Sequence, residues 1–475
     1  MVKIKFGTDG WRALMCDEFT LGPVRRVVQA IADYVRRHGG EERGLVVGYD
    51  ARFFSDRFAE EASRVLLANG IRVFTLPRDL PTPVVAFAVK HRGAFGAIMF
   101  TASHNPPEYN GIKFIPAYAG PATPEITGEI EALLAAQNGE IPPPGKPEGS
   151  HLLVSYDPVP AYLAHLAGLV DREAIARSGL RLVVDPMFGS GRGLLDRFLG
   201  EDGRVETIHD RRDPLFGGMM PDPQEANLAE LRARVTAVPN SLGLATDGDA
   251  DRFGIVDADG TYLTPNQVIA LLLFHLVRGR GWKGVAVRTV ATTHLIDRIA
   301  AAWGLSTVET PVGFKYIGEI MRTRPVVIGG EESGGLSIRG HIPEKDGLLA
   351  CALAAEMRAM SGRPLVATLA ELYREYGGAY TRRLDLHLDQ EEKERLMRSF
   401  LDDPPTRVLG QEVVEVRRID GVKCLLASGA WFLLRPSGTE SLVRVYVEAP
   451  ELDERNRLVT WLEEVIAAER NKVAS

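Results

Sequence analysis

Cysteine is scarce in this 475-residue chain: Cys16, Cys351 and Cys424 are odd in number and widely scattered. That pattern excludes a disulfide framework and a Cys-x-x-Cys metal site, and it fits a reducing compartment. Polybasic runs are also missing, and the formal net charge is -7 with a pI near 5.9. General binding to nucleic acid or to an anionic membrane therefore has no electrostatic footprint, and any anionic ligand has to be met by local positive charge. Long apolar runs are missing as well. Val268 to Val277, interrupted by His275, falls far short of the roughly 20 residues that cross a bilayer. The segment Met1 to Gly10 carries neither the apolar stretch nor the small-residue cleavage site of a secretory signal. The expectation is a cytoplasmic protein with a small-molecule substrate and neither nucleic acid nor membrane as a partner.

What is present is ordinary globular composition, 45% hydrophobic and 25% charged, in a chain long enough for three or four domains. Short β-branched runs alternate with amphipathic stretches: Gly44 to Gly48 before Phe53 to Asn69, Ile71 to Leu76 before Thr82 to Arg92, then Ala94 to Phe100. This is the grammar of βαβ units, hence an α/β architecture. The proline-rich spacer within Gln137 to Gly149 breaks it. The pattern restarts at Leu180 to Asp185 and again at Gly284 to Thr289. The strand openings Leu45 to Asp50, Leu182 to Asp185 and Val285 to Arg288 hint at a repeated domain of about a hundred residues. From Thr381 the pattern changes to a strand, a charged helix at Gln390 to Leu401, three strand-like runs through Val447 and a closing helix from Leu452, an α+β unit. The expected domains are 1–150, 151–262, 263–378 and 379–475.

Four segments carry residues suited to chemistry, and each follows a strand. The first, Thr101-Ala-Ser-His-Asn-Pro106 with Asn110-Gly-Ile-Lys113, leaves a buried-looking strand, where open α/β sheets usually bind ligands. Ser103 suits a nucleophile if something activates it; the loop taken alone reads first as a turn whose amides Ser103 satisfies. In the second, Asp247, Asp249 and Asp251 alternate along an extended segment and point to one side. Such crowded carboxylates call for a hard cation, Mg²⁺ or Ca²⁺; the alternative is a solvated acidic turn. An EF-hand is excluded, because its sixth and twelfth loop positions are Arg252 and Ala258. The third, Gly330-Glu-Glu-Ser-Gly-Gly335, offers carboxylates and a hydroxyl to vicinal sugar hydroxyls, or is a glycine-rich hairpin with solvated glutamates. The fourth, Arg435-Pro-Ser-Gly-Thr-Glu440, combines an arginine, hydroxyls and glycine amides suited to an anion, but is also compatible with a tight turn. One cleft lined by a loop from each domain accounts for all four more simply than four unrelated turns.

With Phe6-Gly-Thr-Asp-Gly-Trp-Arg12 ahead of them, these motifs closely resemble, in order and over essentially the whole chain, the α-D-phosphohexomutase superfamily of phosphoglucomutases, phosphomannomutases and phosphoglucosamine mutases. The resemblance implies three related α/β domains with mixed sheets plus a C-terminal α+β domain, heart-shaped around a central cleft. It implies that Ser103 is a phosphoserine, that Asp247, Asp249 and Asp251 bind one Mg²⁺ together with it, and that Glu331 and Ser333 hold sugar hydroxyls. Arg435, Ser437, Gly438 and Thr439 would grip the phosphate that is not transferred. Hexose 1- and 6-phosphates would interconvert through a hexose 1,6-bisphosphate, which would also serve as activator. Arg252 and Arg12 would relieve developing charge, Lys113 would transfer a proton or stabilise charge, and His104 would position the serine loop. A monomer or homodimer is expected.

Four positions bear on which sugar. Gly335 stands where dual-specificity and glucosamine branches commonly place His, Phe314 and Lys315 stand where some relatives carry His, and Thr101 rather than Ser opens the serine motif. These favour glucose phosphate, then mannose phosphate, over glucosamine phosphate. Outside the family, a phosphoserine-forming phosphatase would share the nucleophile and metal but has no use for a second phosphate clamp. A catalytically silent sugar-phosphate sensor would not need the serine.

Overall fold

The computed structural model describes residues 4–7, 10–137, 139, 141, 144, 151–200, 203–436 and 442–471. Its first sheet contains β1 (Trp11–Leu14), β2 (Leu45–Tyr49), β3 (Val73–Thr75), β4 (Gly96–Phe100), β5 (Tyr109–Pro116) and β6 (Leu153–Ser155), in the spatial order β1-β5-β4-β2-β3-β6. The second contains β7 (Arg181–Asp185), β8 (Val205–Thr207), β9 (Ser241–Thr246), β10 (Phe253–Val256) and β11 (Tyr262–Leu263), ordered β11-β10-β9-β7-β8. The third contains β12 (Val285–Thr289), β13 (Ser306–Thr310), β14 (Val326–Gly330) and β15 (Leu336–Ile338), ordered β13-β12-β14-β15.

A common unit runs through all three. Three parallel strands, β3-β2-β4, β8-β7-β9 and β13-β12-β14, each end in an antiparallel partner, β5, β10 or β15. The similar strand openings at Leu45, Leu182 and Val285 are the equivalent central strands β2, β7 and β12 of that unit. The fourth sheet is antiparallel throughout, with β16 (Tyr380–His387), β17 (Arg407–Val408), β18 (Gln411–Arg417), β19 (Val422–Leu426), β20 (Trp431–Pro436) and β21 (Leu442–Ala449) in the order β16-β21-β20-β19-β18-β17. The helices Gln390–Asp402 and Leu452–Asn471 belong to this part of the chain. It holds six strands where one strand and three further runs are expected; β17 is only two residues long, and Gln411–Arg417 shows no clean alternation of apolar and polar residues.

Helices that pack on the parallel strands are apolar where they must be. Thr82–Arg92 is buried along most of its length, as is Gly347–Ser361, a Leu- and Ala-rich helix with almost no polar face. All-round apolarity marks a helix enclosed by protein. Two segments do not follow the boundaries drawn from sequence. β6 pairs in parallel with β3, Val73 opposite Leu153, so the first sheet extends past residue 150. Gly347–Ser361 follows the third sheet in the chain but packs on β9 and β10 of the second, where Cys351 Sγ lies 3.5 Å from the Ala245 carbonyl oxygen. A buried apolar helix goes where it covers most apolar surface, and sequence proximity does not decide that. One continuous core accordingly takes in Val46, Leu182, Leu244, Leu273, Val327 and Leu353. Among the described residues, no helix is long and apolar enough to cross a membrane.

Candidate active site

The repeated unit places the site. The serine loop joins β4 to β5, the aspartate loop joins β9 to β10, and the glutamate loop joins β14 to β15. Each is therefore the turn from the last parallel strand into its antiparallel partner, at the carboxyl end of a parallel strand. Three equivalent loops of three related domains meet.

Ser103 is buried, with φ 51°, and its amide donates to Thr101 Oγ1 at 2.8 Å. Its Oγ donates to Asp247 Oδ2 at 2.9 Å and lies 3.3 Å from His104 Nδ1. The approach depends on Gly248, since a Cβ there would lie 2.8 Å from the Ser103 carbonyl oxygen. Ser190, in the glycine-rich turn after β7, donates to the Gly248 carbonyl through its amide and its hydroxyl, which holds the aspartate loop from below. His104 is kept neutral: burial pushes its pKa well down, and the Arg252 and Arg12 cations push the same way.

Asp247, Asp249 and Asp251 are buried, and one carboxylate oxygen of each lies within 4.8 Å of those of the other two. Burial and the neighbouring Asp249 carboxylate raise the pKa of Asp247 well above the usual range. Burial also opposes ionisation of Asp249, but the Lys113 ammonium and the Thr82 hydroxyl outweigh it and hold that carboxyl low. Thr82 Oγ1 donates to Asp249 Oδ2 at 2.7 Å, and Lys113 Nζ contacts Asp249 Oδ2 and Asp251 Oδ2 at 3.2 Å each. Asp249 Oδ1 and Asp251 Oδ1 are buried with no hydrogen-bond partner among the described residues. Orphaned carboxylate oxygens that share a side of one loop fit a hard cation, which supplies the missing interactions.

Arg12, on β1, donates from Nη1 to Asn105 Oδ1 at 2.7 Å and so braces the serine loop from the sheet edge. Arg252 donates its amide to Asp247 Oδ1 at 2.9 Å, while its guanidinium sits 3.6 Å from Asp222. Glu331 is buried and accepts the Gly313 amide at 2.9 Å. Burial pushes its pKa up to about 7, with Lys345 opposing. Ser333 is half-buried at the tip of the same loop, which is joined to the second sheet by the Phe253 amide on the Gly334 carbonyl at 3.2 Å.

Arg435 does not touch this group directly. Its Nε donates at 2.7 Å to Asp420 Oδ2, which also accepts the Val312 amide at 3.0 Å, one residue from the Gly313 amide on Glu331. Asp420 thus bridges the C-terminal sheet and the loop that follows β13. Ser437, Gly438 and Thr439 lie outside the described residues.

Two side chains that touch the aspartates carry no sequence motif. Thr82 starts a helix 167 residues from Asp249 and carries no local signal. Lys345 contacts Asp251 Oδ2 at 3.2 Å, with its stem against Gly335: a Cβ at position 335 would meet Lys345 Cδ inside contact distance and Cγ at 2.8 Å. The glycine noticed as a departure from related branches is the space through which a second lysine reaches the aspartates. A nucleophile-ready hydroxyl, a cation-ready carboxylate cluster and two ammonium groups on one side of that cluster make an arrangement suited to phosphoryl transfer.

Known proteins carry the same architecture. Family profiles described as phosphoglucomutase/phosphomannomutase α/β/α domains I, II and III match residues 3–140, 160–260 and 264–376, and the C-terminal domain profile matches 392–464. A Komagataeibacter xylinus phosphoglucomutase is 30% identical over 94% of this chain and 87% of its own. A Thermococcus kodakarensis phosphoglucomutase/phosphomannomutase is 30% identical over 94% of each chain. The crystal structure of a Thermus thermophilus protein, provisionally designated a phosphomannomutase, superposes with a TM-score of 0.86 at 35% identity, covering 98% of this chain and 99% of that one. The chain belongs to the phosphoglucomutase/phosphomannomutase family.

Proposed function

We propose that this phosphohexomutase interconverts glucose 1-phosphate and glucose 6-phosphate, with Ser103 as a resident phosphate carrier and Mg²⁺ at Asp247, Asp249 and Asp251. The observation that carries the reading is the 2.9 Å contact of Ser103 Oγ with Asp247 Oδ2, inside a buried carboxylate cluster flanked by Lys113 and Lys345. Such a hydroxyl is placed to hold a phosphoryl group whose charge the site is built to receive.

The cation, when bound, neutralises charge on the phosphoryl oxygens. Phosphorylated Ser103 gives its phosphoryl group to a free sugar hydroxyl, whose proton ends on the departing Ser103 Oγ; the bisphosphorylated sugar turns over, and its other phosphate returns to Ser103 Oγ as that proton goes to the freed sugar oxygen. Transfer of this kind has a loose transition state that asks more of positioning and charge than of a strong base. Lys113, held between two carboxylates, serves there as a charge stabiliser. Neutral His104, with Nδ1 3.3 Å from Ser103 Oγ, positions the serine loop. Glu331 and Ser333 hold sugar hydroxyls, while Arg435 with the Ser437-Gly-Thr439 segment grips the distal phosphate. Arg12 acts through Asn105, and Arg252 adds positive charge beside the aspartates.

Glucose is preferred because Gly335, where dual-specificity and glucosamine branches commonly carry histidine, leaves its space to the Lys345 stem, whose ammonium reaches Asp251. The test is kcat/KM for glucose, mannose and glucosamine 1-phosphates, with product analysis and intact mass during turnover. Equal values would defeat the glucose preference. Free phosphate without glucose 6-phosphate would favour a phosphatase, and an active enzyme that never carries phosphate on Ser103 would remove the carrier role.

A further inference from the structure

Arg52 follows β2 in the sequence Asp50-Ala-Arg52 and is fully buried. A guanidinium so placed must find acceptors for its N–H groups and a counter-charge. Nη1 donates to the carbonyls of Pro106 at 2.7 Å and Tyr109 at 2.9 Å, and Nη2 to those of Ser103 at 2.6 Å and Asn105 at 2.7 Å. Nε faces Asp50 Oδ2 at 3.3 Å. Three of these carbonyls belong to the loop that carries Ser103, and the fourth, that of Tyr109, to the first residue of β5, where the loop ends. Asp50 is itself held by the Arg52 amide at 3.0 Å and the Ser55 hydroxyl at 3.2 Å, and Phe216 of the second domain packs 5.1 Å from the guanidinium carbon.

The conformation of Ser103 explains what such a clamp is for. At φ 51° it occupies the left-handed region, which non-glycine residues keep only when the surroundings over-determine it. Two bonds do so, Thr101 Oγ1 on its amide and Arg52 Nη2 on its carbonyl. The reaction needs Ser103 Oγ in line twice, once as leaving group and once as nucleophile, and on each occasion the backbone has to be in the same place.

We infer that Arg52 is a positioning residue, which by gripping three carbonyls of the serine loop and the first carbonyl of β5 fixes Ser103 in one orientation with or without its phosphoryl group. The inference rests on Ser103 being the phosphate carrier. Lysine is not an equivalent: a point ammonium lacks the planar fork that serves two pairs of carbonyls at once. A loop displaced by about 1 Å costs on the order of 10²-fold in rate while leaving the sugar and distal-phosphate contacts in place.

The test compares Arg52→Lys, Arg52→Ala and Ser103→Ala with wild type, measuring kcat and KM for glucose 1-phosphate, circular dichroism, and activity with added guanidinium chloride at sub-denaturing concentration. The expected result is a fall in kcat of about 10²-fold for Arg52→Lys with KM unchanged and the fold retained. Guanidinium should partly restore Arg52→Ala and leave Ser103→Ala inactive. Wild-type kcat in Arg52→Lys overturns the inference, as does a loss that tracks the unfolded fraction or shifts KM instead. If Arg52→Ala does not fold, Arg52→Lys alone decides. Normal turnover by Ser103→Ala would instead remove the carrier reading beneath it.

Discussion

Replacing Gly335 with alanine tests how the site is charged. The glycine is not in the left-handed region, so alanine adds no backbone strain, and its one new atom falls inside contact distance of Lys345 Cδ and 2.8 Å from Cγ. Those atoms lie mid-stem, so the ammonium has to leave Asp251, 3.2 Å away. The pair is almost dry, with side-chain exposures of 10% and 1%, so solvent screening does little to weaken it. A charge-assisted hydrogen bond of this kind contributes about 1.5–3 kcal/mol, which as transition-state stabilisation is roughly a 10- to 150-fold loss in kcat/KM. Overpacking adds about 1–3 kcal/mol of destabilisation, read separately by thermal denaturation. Initial rates with glucose 1-phosphate measure the effect, and Lys345→Met supplies the control. If the alanine acts by displacing Lys345, the double variant Gly335→Ala/Lys345→Met is no slower than the worse single variant. Wild-type kcat/KM in Gly335→Ala, or additive losses in the double variant, refutes the reasoning.

Dialysis against a chelator is expected to abolish turnover, and Mg²⁺ is expected to restore it and to raise the thermal midpoint, by about 2.7 kcal/mol of stability at a hundred times Kd; full activity in enzyme shown to be metal-free would contradict the carboxylate-cluster assignment. On the proposed role, Glu331, whose pKa burial pushes up to about 7, holds sugar hydroxyls more strongly when ionised than when protonated. KM should therefore climb as pH falls below about 7, and Glu331→Gln should flatten that limb. Two groups outside the site contribute to the pH dependence of stability. His209, bonded to Asp185 at 3.0 Å and Glu230 at 3.1 Å, has its pKa raised above 6.5, first by the Asp185 hydrogen bond. Its contribution is complete below 6.5 and lost as pH rises through the folded value, and His209→Gln should remove that slope from scanning calorimetry. Burial opposes ionisation of Glu356, yet His275 and Arg280 hold its carboxyl below 4.5. That stability is present above 4.5 and lost as pH falls through the folded value, so Glu356→Gln should blunt acid destabilisation.

Much of the site was legible because its chemistry is written in short windows beside strands. Asp247, Asp249 and Asp251 announce themselves by spacing, and Ser103 by the irregular loop after an apolar strand. Lys345, Thr82, Arg52 and Asp420 were not legible. Lysine and threonine at helix starts, an arginine after a strand and an Asp-Gly turn are commonplace locally. Each gains meaning only from a partner 94, 167, about 51 or 108 positions away. Similarly, Gly347–Ser361 reads as a buried helix, but nothing within it says that the second sheet is what it covers.

Local sequence by itself determined the α/β alternation, the threefold recurrence of a strand-led unit, the separate C-terminal part and the four chemically loaded loops, because propensity, periodicity and loop chemistry act over a few neighbouring residues. Only the tertiary structure decided that three of those loops occupy one topological position and meet, that Gly335 admits Lys345 to the aspartates, and that Arg52 holds the serine loop. Those outcomes depend on which apolar faces pack together and on where buried charges find partners. Burial and desolvation set these energies over the whole chain, and no local window contains them.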